Sequence, residues 1–102
     1  MAQKYTLSIE PEAIEDIQQA IDYYNSVKSG LGKKFFLQVD NQFNSLRKNP
    51  KAFAVRYNSI RCLPIRKFPY MIHYMVFDDK LQVSIKAVFC TYLDPSKWED
   101  RT

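Results

Sequence analysis

The chain reads as an α+β fold, a two-helix antiparallel hairpin packed on one face of a small, mainly antiparallel four-stranded sheet, in the order β-α-α-β-β-β. Three observations predict it. Lys4 to Ile9 alternates, with Tyr5, Leu7 and Ile9 on one side and Lys4, Thr6 and Ser8 on the other, the period of a strand with one buried face. Two segments of helical period follow, joined by only Ser29-Gly30-Leu31-Gly32, so they fold back on each other. Tyr70 to Phe77 then runs without a charge among turn residues and is rich in Tyr, Ile, Val and Phe, the pattern of a strand buried on both faces.

Each element has its own justification. Glu10-Pro11-Glu12 opens the first helix, because proline fits the first helical position and the early carboxylates Glu12, Glu15 and Asp16 suit the positive end of the dipole. Ala13, Ile17, Ala20, Ile21, Tyr24 and Val27 form its core stripe. Gly30 is placed to end it in a left-handed cap. Lys33 to Lys48 is the second helix, its buried face marked by Phe36, Val39, Phe43 and Leu46 with Phe35 beside them, and Asn49-Pro50 stops it. Neither helix hides its stripe alone, so the pair lies on a sheet. Lys51 to Ser59 is a connector whose Phe53 and Tyr57 tuck back onto the core. Ile60 to Ile65 is a strand that Pro64 demotes towards an edge or a bulge. After the central strand, Asp78-Asp79-Lys80 turns the chain. Leu81, Val83, Ile85, Ala87 and Phe89 then alternate with polar residues along the last strand. Thr91 to Thr102 is a tail anchored by Trp98. The helices cover one face, leaving the opposite face to grip a macromolecule.

Length and composition narrow the function. At 102 residues the expectation is one domain over the whole chain, and 46% apolar residues suffice for its core. Residues 1–40 carry four basic and six acidic groups, net −2, and residues 41–102 carry eleven and five, net +6. A basic C-terminal half fits an anionic partner. A single histidine and two widely spaced cysteines argue against a metal site, and two glycines leave little for a phosphate-cradling loop, so no cofactor is expected. Cysteine usage without a signal peptide points to the cytoplasm. No apolar run approaches the ~20 residues of a membrane span.

Several short motifs recur in a telling order. Pro11-Glu12-Ala13 and Asp16-Ile17 lead to Ile21-Asp22-Tyr23-Tyr24. Gly30-Leu31-Gly32 precedes Phe35-Phe36, and Leu46-Arg47-Lys48-Asn49-Pro50 closes that helix. Phe68-Pro69-Tyr70 and Tyr74 sit on the middle strand, and Asp94-Pro95-Ser96-Lys97-Trp98 follows the last one. Together they resemble the RelE/ParE superfamily of bacterial toxins from type II toxin–antitoxin pairs, which includes plasmid-stabilisation proteins. The resemblance implies a RelE-like fold, a growth inhibitor and a cognate antitoxin that neutralises it. Its cellular target would be DNA gyrase in ParE-like members, or translated mRNA on the ribosome in RelE-like ones.

The departures from the family pattern bear on chemistry. Met71 stands where the family often has an arginine, Cys90 where it often has a histidine, and Leu93 where it often has another arginine. Cutting RNA requires removing a 2′-hydroxyl proton, balancing charge on a crowded phosphate and protonating the leaving oxygen. Apolar or weakly ionising groups at three such positions tilt the reading towards a non-catalytic, gyrase-binding or degenerate member. The alternative is a ribosome-dependent mRNA endonuclease with a rearranged site, its working groups Arg61, Arg66, Lys86 and Tyr92. Each has a plainer reading. Arg61 and Arg66, clustered with Lys67, serve equally as solvated strand ends, Lys86 as a residue facing only water, and Tyr92 as an aromatic lid over the sheet. His73 is expected to be a hydrogen-bonded structural histidine and Cys62 and Cys90 inert fillers near one another.

Overall fold

A computed structural model describes residues 4–99. The elements are β1 (Thr6–Ile9), α1 (Pro11–Val27), α2 (Leu31–Lys48), β2 (Val55–Tyr57), β3 (Ile60–Pro64), β4 (Tyr70–Phe77) and β5 (Gln82–Cys90). Single 3-10 turns lie at Asp78–Lys80 and Pro95–Lys97. The sheet order is β1-β5-β4-β3-β2, with β1 parallel to β5 and every other pair antiparallel. The long uncharged strand β4 is therefore central, as its composition demands. The α+β class is the expected one, with a fifth strand added. β2 forms within the segment read as a connector, and β3 is thereby moved in from the edge. Tyr57 pairs with Ile60 across Asn58 and Ser59, whose φ values of 43° and 64° make the two-residue mirror-image turn that matches strand twist. The tail is described to Glu99, and residues 100–102 lie outside the described residues.

The main core lies between the hairpin and the sheet. Ala13, Ile17 and Ala20 of α1 and Phe35, Val39, Phe43 and Leu46 of α2 meet Leu63, Ile72, Tyr74, Val83, Ile85 and Val88. Three expected core residues fall outside it: Val27 is 60%, Phe36 48% and Phe53, on the connector, 39% exposed. Gly32, Phe35, Val39, Phe43 and Leu46 are the buried residues of α2, spaced three, four, four and three apart, so the buried seam runs through Phe35 and turns its neighbour outward.

Gly32 explains how the hairpin closes. A Cβ there would sit 2.5 Å from the Ile21 carbonyl oxygen and 2.7 Å from the Asn25 side chain. In place of that contact, the Gly32 N–H donates to Asn25 Oδ1 at 2.9 Å. Gly32→Ala should therefore push the helices apart and cost about 2 kcal/mol, read as a lower denaturant midpoint. Gly30 is left-handed as expected, with φ of 87°, but it caps the start of α2; α1 has already ended at Val27 with Lys28 extended.

A bulge in β5 sets up the rest. His73 faces Ala87 and Tyr74 faces Ile85, so Lys86 is the extra residue. Upstream, Val83 and Ile85 pack with the helices; downstream, Ala87 and Phe89 turn to the opposite face and Val88 takes the helix side. The even alternation read along this strand therefore breaks at Lys86, because an inserted residue reverses which side chains face the core.

Candidate functional site

The face opposite the helices is not bare. Ala87, Phe89 and Trp98 form a second buried cluster there, with Tyr57, Met71 and Leu93 packed against it. After β5 the chain is pinned by Thr91 N–H donating to Pro69 O at 2.7 Å and Leu93 N–H to Cys90 O at 3.0 Å. Asp94 Oδ1 accepts from Ser96 N–H at 3.0 Å and organises the 3-10 turn. That turn delivers Trp98, only 6% exposed, onto the sheet. Its ring lies 4.7 Å from His73 and 5.3 Å from Tyr57, with the Arg56 guanidinium 5.3 Å over it. Tyr92, read as the lid, is instead 86% exposed.

Beneath Trp98 lies His73, completely buried. Its Nδ1 shares a hydrogen bond with Tyr57 Oη at 2.8 Å and approaches Cys62 Sγ at 3.5 Å. Its Nε2 has no hydrogen-bond partner among the described residues. Burial, with a smaller contribution from Arg56, pushes the imidazole from 6.5 down to about 4, so it is neutral near pH 7. This is the structural histidine expected. Burial also raises the Cys62 thiol above its ordinary value, away from the reactive thiolate. Cys62 and Cys90 lie on opposite sides of β4, facing His73 and Tyr70, and both are free thiols.

The ionisable candidates are dispersed. Arg61 Nη1 donates to Phe53 O at 2.6 Å, tying down the connector. Arg66 is exposed in the β3–β4 turn with Lys67, past the end of β3, while Arg61 lies near the start of that strand. Arg61 thus leaves the basic cluster read from sequence. Lys86, at the bulge, pairs with Glu10 at 2.8 Å, both side chains largely shielded from water. Tyr92 stands beyond the end of β5, near the Pro69 end of the sheet. Of the three departure positions, Met71 and Leu93 pack together on the face opposite the helices, whereas Cys90, one residue past Phe89, turns to the helix side and lines a cavity with Tyr24 and Tyr70.

Some working contacts gave no clear sequence signal. Glu10, read as part of the helix opening, bonds Lys86, and Asp16, read as matching the dipole, accepts the Val88 N–H at 3.0 Å where β5 has run past β1. Arg56, on a strand missed by sequence reasoning, covers Trp98 and reaches Met71 Sδ at 3.6 Å. Among the described residues, no three His, Cys, Asp or Glu side chains gather as metal ligands would. No helix among them is long and apolar enough to cross a membrane.

At the Pro69 end of the sheet the surface is concave. One cavity of about 570 Å³ lies between the start of α2 and the β3–β4 turn, and a second of about 420 Å³ continues past Pro69 to Tyr92. Tyr24 and Pro69 are walls of both. Tyr24 is held there by edge contacts with Phe68 at 4.9 Å and Tyr70 at 6.0 Å, and it leans on Phe35 at 5.4 Å. Burial, reinforced by neighbouring Tyr70, raises its hydroxyl to about 12, so it stays neutral.

Comparison with known proteins agrees with this architecture. The chromosomal ParDE toxin–antitoxin system from P. aeruginosa superposes with a TM-score of 0.74 at 18% identity, covering 85% of this chain and 96% of that one. A double mutant of E. coli toxin RelE in the free state gives 0.72 at 17% identity, covering 97% and 95%. The same E. coli mutant in complex with an antitoxin RelBc peptide gives 0.65 at 18% identity, covering 100% and 96%. At these identities the likeness is one of fold. No curated protein matches the chain in sequence. The family model for the ParE toxin of the type II toxin–antitoxin system, parDE, matches residues 7–91, from β1 to the residue after β5. With the match running through both helices and the whole sheet, the chain belongs to the ParE toxin family of type II toxin–antitoxin systems.

Proposed function

We propose that this toxin inhibits growth by binding its target, that the target is DNA gyrase, and that a cognate antitoxin neutralises it. The observation that carries the non-catalytic reading is the cluster opposite the helices. Where RNA chemistry would need a base, a cation and an acid converging on one phosphate, Met71, Phe89, Leu93 and Trp98 pack over a neutral, buried His73. Of the ionised groups nearby, Arg61 is tied to a carbonyl and Lys86 to Glu10, while Arg56 lies flat over Trp98 and reaches Met71. A contact poison needs no such constellation; it needs exposed surface. Large apolar side chains are exposed on both helices, Ile14, Tyr23 and Val27 on α1 and Phe36 and Leu37 on α2. The antitoxin partner is supported by family membership and by similarity to proteins solved as toxin–antitoxin complexes. The test is a supercoiling assay with purified gyrase. Added toxin should block supercoiling and should lose that effect when premixed with the antitoxin; full supercoiling at toxin excess would overturn the gyrase assignment.

A further inference from the structure

The two neighbouring cavities that share Tyr24 and Pro69 have a chemistry of their own. Their walls are apolar and aromatic, chiefly Tyr24, Leu31, Leu37, Phe68, Pro69 and Tyr92. Among the described residues, the charged groups on those walls are Lys34 and Lys67, and no carboxylate lines either cavity. Leu31, the first residue of α2, adds the positive end of that helix's dipole to the two ammonium groups. Exposed Arg66 stands beside Lys67 in the same turn.

Lys67 holds its backbone at a φ of 72°, in the left-handed region, as Asn58, Ser59 and Leu81 do at other turns. An apolar floor with a cationic rim matches a peptide that alternates carboxylates with large apolar groups. A nucleic acid fits less well, because a phosphate chain needs a track of cations rather than two at the edge of an aromatic trough.

We infer that this groove seats an acidic, apolar-bearing segment of the antitoxin, its carboxylates on Lys34 and Lys67 and its apolar side chains against Tyr24, Phe68 and Pro69. The inference rests on the reading above that an antitoxin neutralises this chain. It is tested by panning short random displayed peptides on the intact protein, with a uridine oligonucleotide of similar length as competitor. Enriched peptides should combine Asp or Glu with Leu, Phe or Trp. Reversing both rim charges, Lys34→Glu with Lys67→Glu, should weaken the best of them roughly tenfold or more. Lys67→Gly separates contact from architecture: it should leave the urea midpoint unchanged or higher while weakening the peptide. Basic or purely apolar peptides, affinity indifferent to the charge reversal, no enrichment at all, or displacement by the oligonucleotide would each overturn the groove assignment. Growth arrest on induction reads the toxin function separately. Arrest without acidic-peptide binding sinks only the groove, and no arrest sinks the function on which it rests.

Discussion

Phe35→Ala should destabilise the fold by about 3 to 5 kcal/mol, a large share of what a domain of this size holds. Phe35 is fully buried, and its ring meets Phe68 at 5.2 Å, Tyr70 at 5.1 Å and Tyr24 at 5.4 Å. These contacts join both helices to the β3–β4 turn, so the truncation removes packing on three sides and leaves a cavity that rigid strands do not fill. Phe36→Ala, one residue on and 48% exposed, should cost under about 1 kcal/mol. Equilibrium urea unfolding of the two variants checks this directly. Equal midpoints would mean that the helix is rotated from the position described, and the seam through Gly32, Val39 and Leu46 with it.

The second large effect is loss of stability in mild acid, centred on His73. In the unfolded chain a histidine takes its proton near pH 6.5; in the fold, burial holds this one to about 4. Between those values the unfolded chain binds more protons, so stability is full above about pH 6.5 and falls as pH drops through the window towards 4. The total loss is about 3 kcal/mol. Tyr57, Cys62, Phe89 and Trp98 surround the ring, and the charge in reach is the like-signed Arg56. Asp78 and Asp94, whose carboxyls lie below their ordinary value through bonds to Lys51 and to Ser96 respectively, lose their contribution only at still lower pH. Trp98 is the sole tryptophan and touches the sole histidine, so its fluorescence reports the event without a label. His73→Phe should flatten the stability profile between pH 4 and 6.5. An unchanged slope in that variant would assign the acid sensitivity elsewhere.

Those two sites also mark where sequence reading succeeds and where it stops. The hairpin, the central strand and the buried sides of β1 and α1 were legible because period and burial are local properties of the chain. The seam of α2 was not, since Phe35 and Phe36 are equally apolar and only the three-dimensional path of the partner helix chooses between them. β2 was hidden because three residues carry little periodicity; Asn58, tolerant of a left-handed backbone, was its one available signal. The bulge at Lys86 was hidden for another reason. Alternation in β5 continues through it in sequence while reversing in space, and that is what sends Phe89 under Trp98 instead of towards the helices. The expected open face is closed by the tail for the same reason. Met71 and Leu93 were noticed as missing charges, and the structure gives them a positive role as packing around Trp98. Lys34, remote from Lys67 in sequence, carried no sign of sharing a groove with it.

Mapping mRNA ends after induction without antitoxin tests the central claim most directly. A toxin whose sheet face is sealed by Trp98 over a neutral histidine should arrest growth while leaving the ends of translated messages unchanged. Cuts in register with codons, abolished by substituting Arg61, Arg66, Lys86 or Tyr92, would contradict that claim and make this chain a ribonuclease.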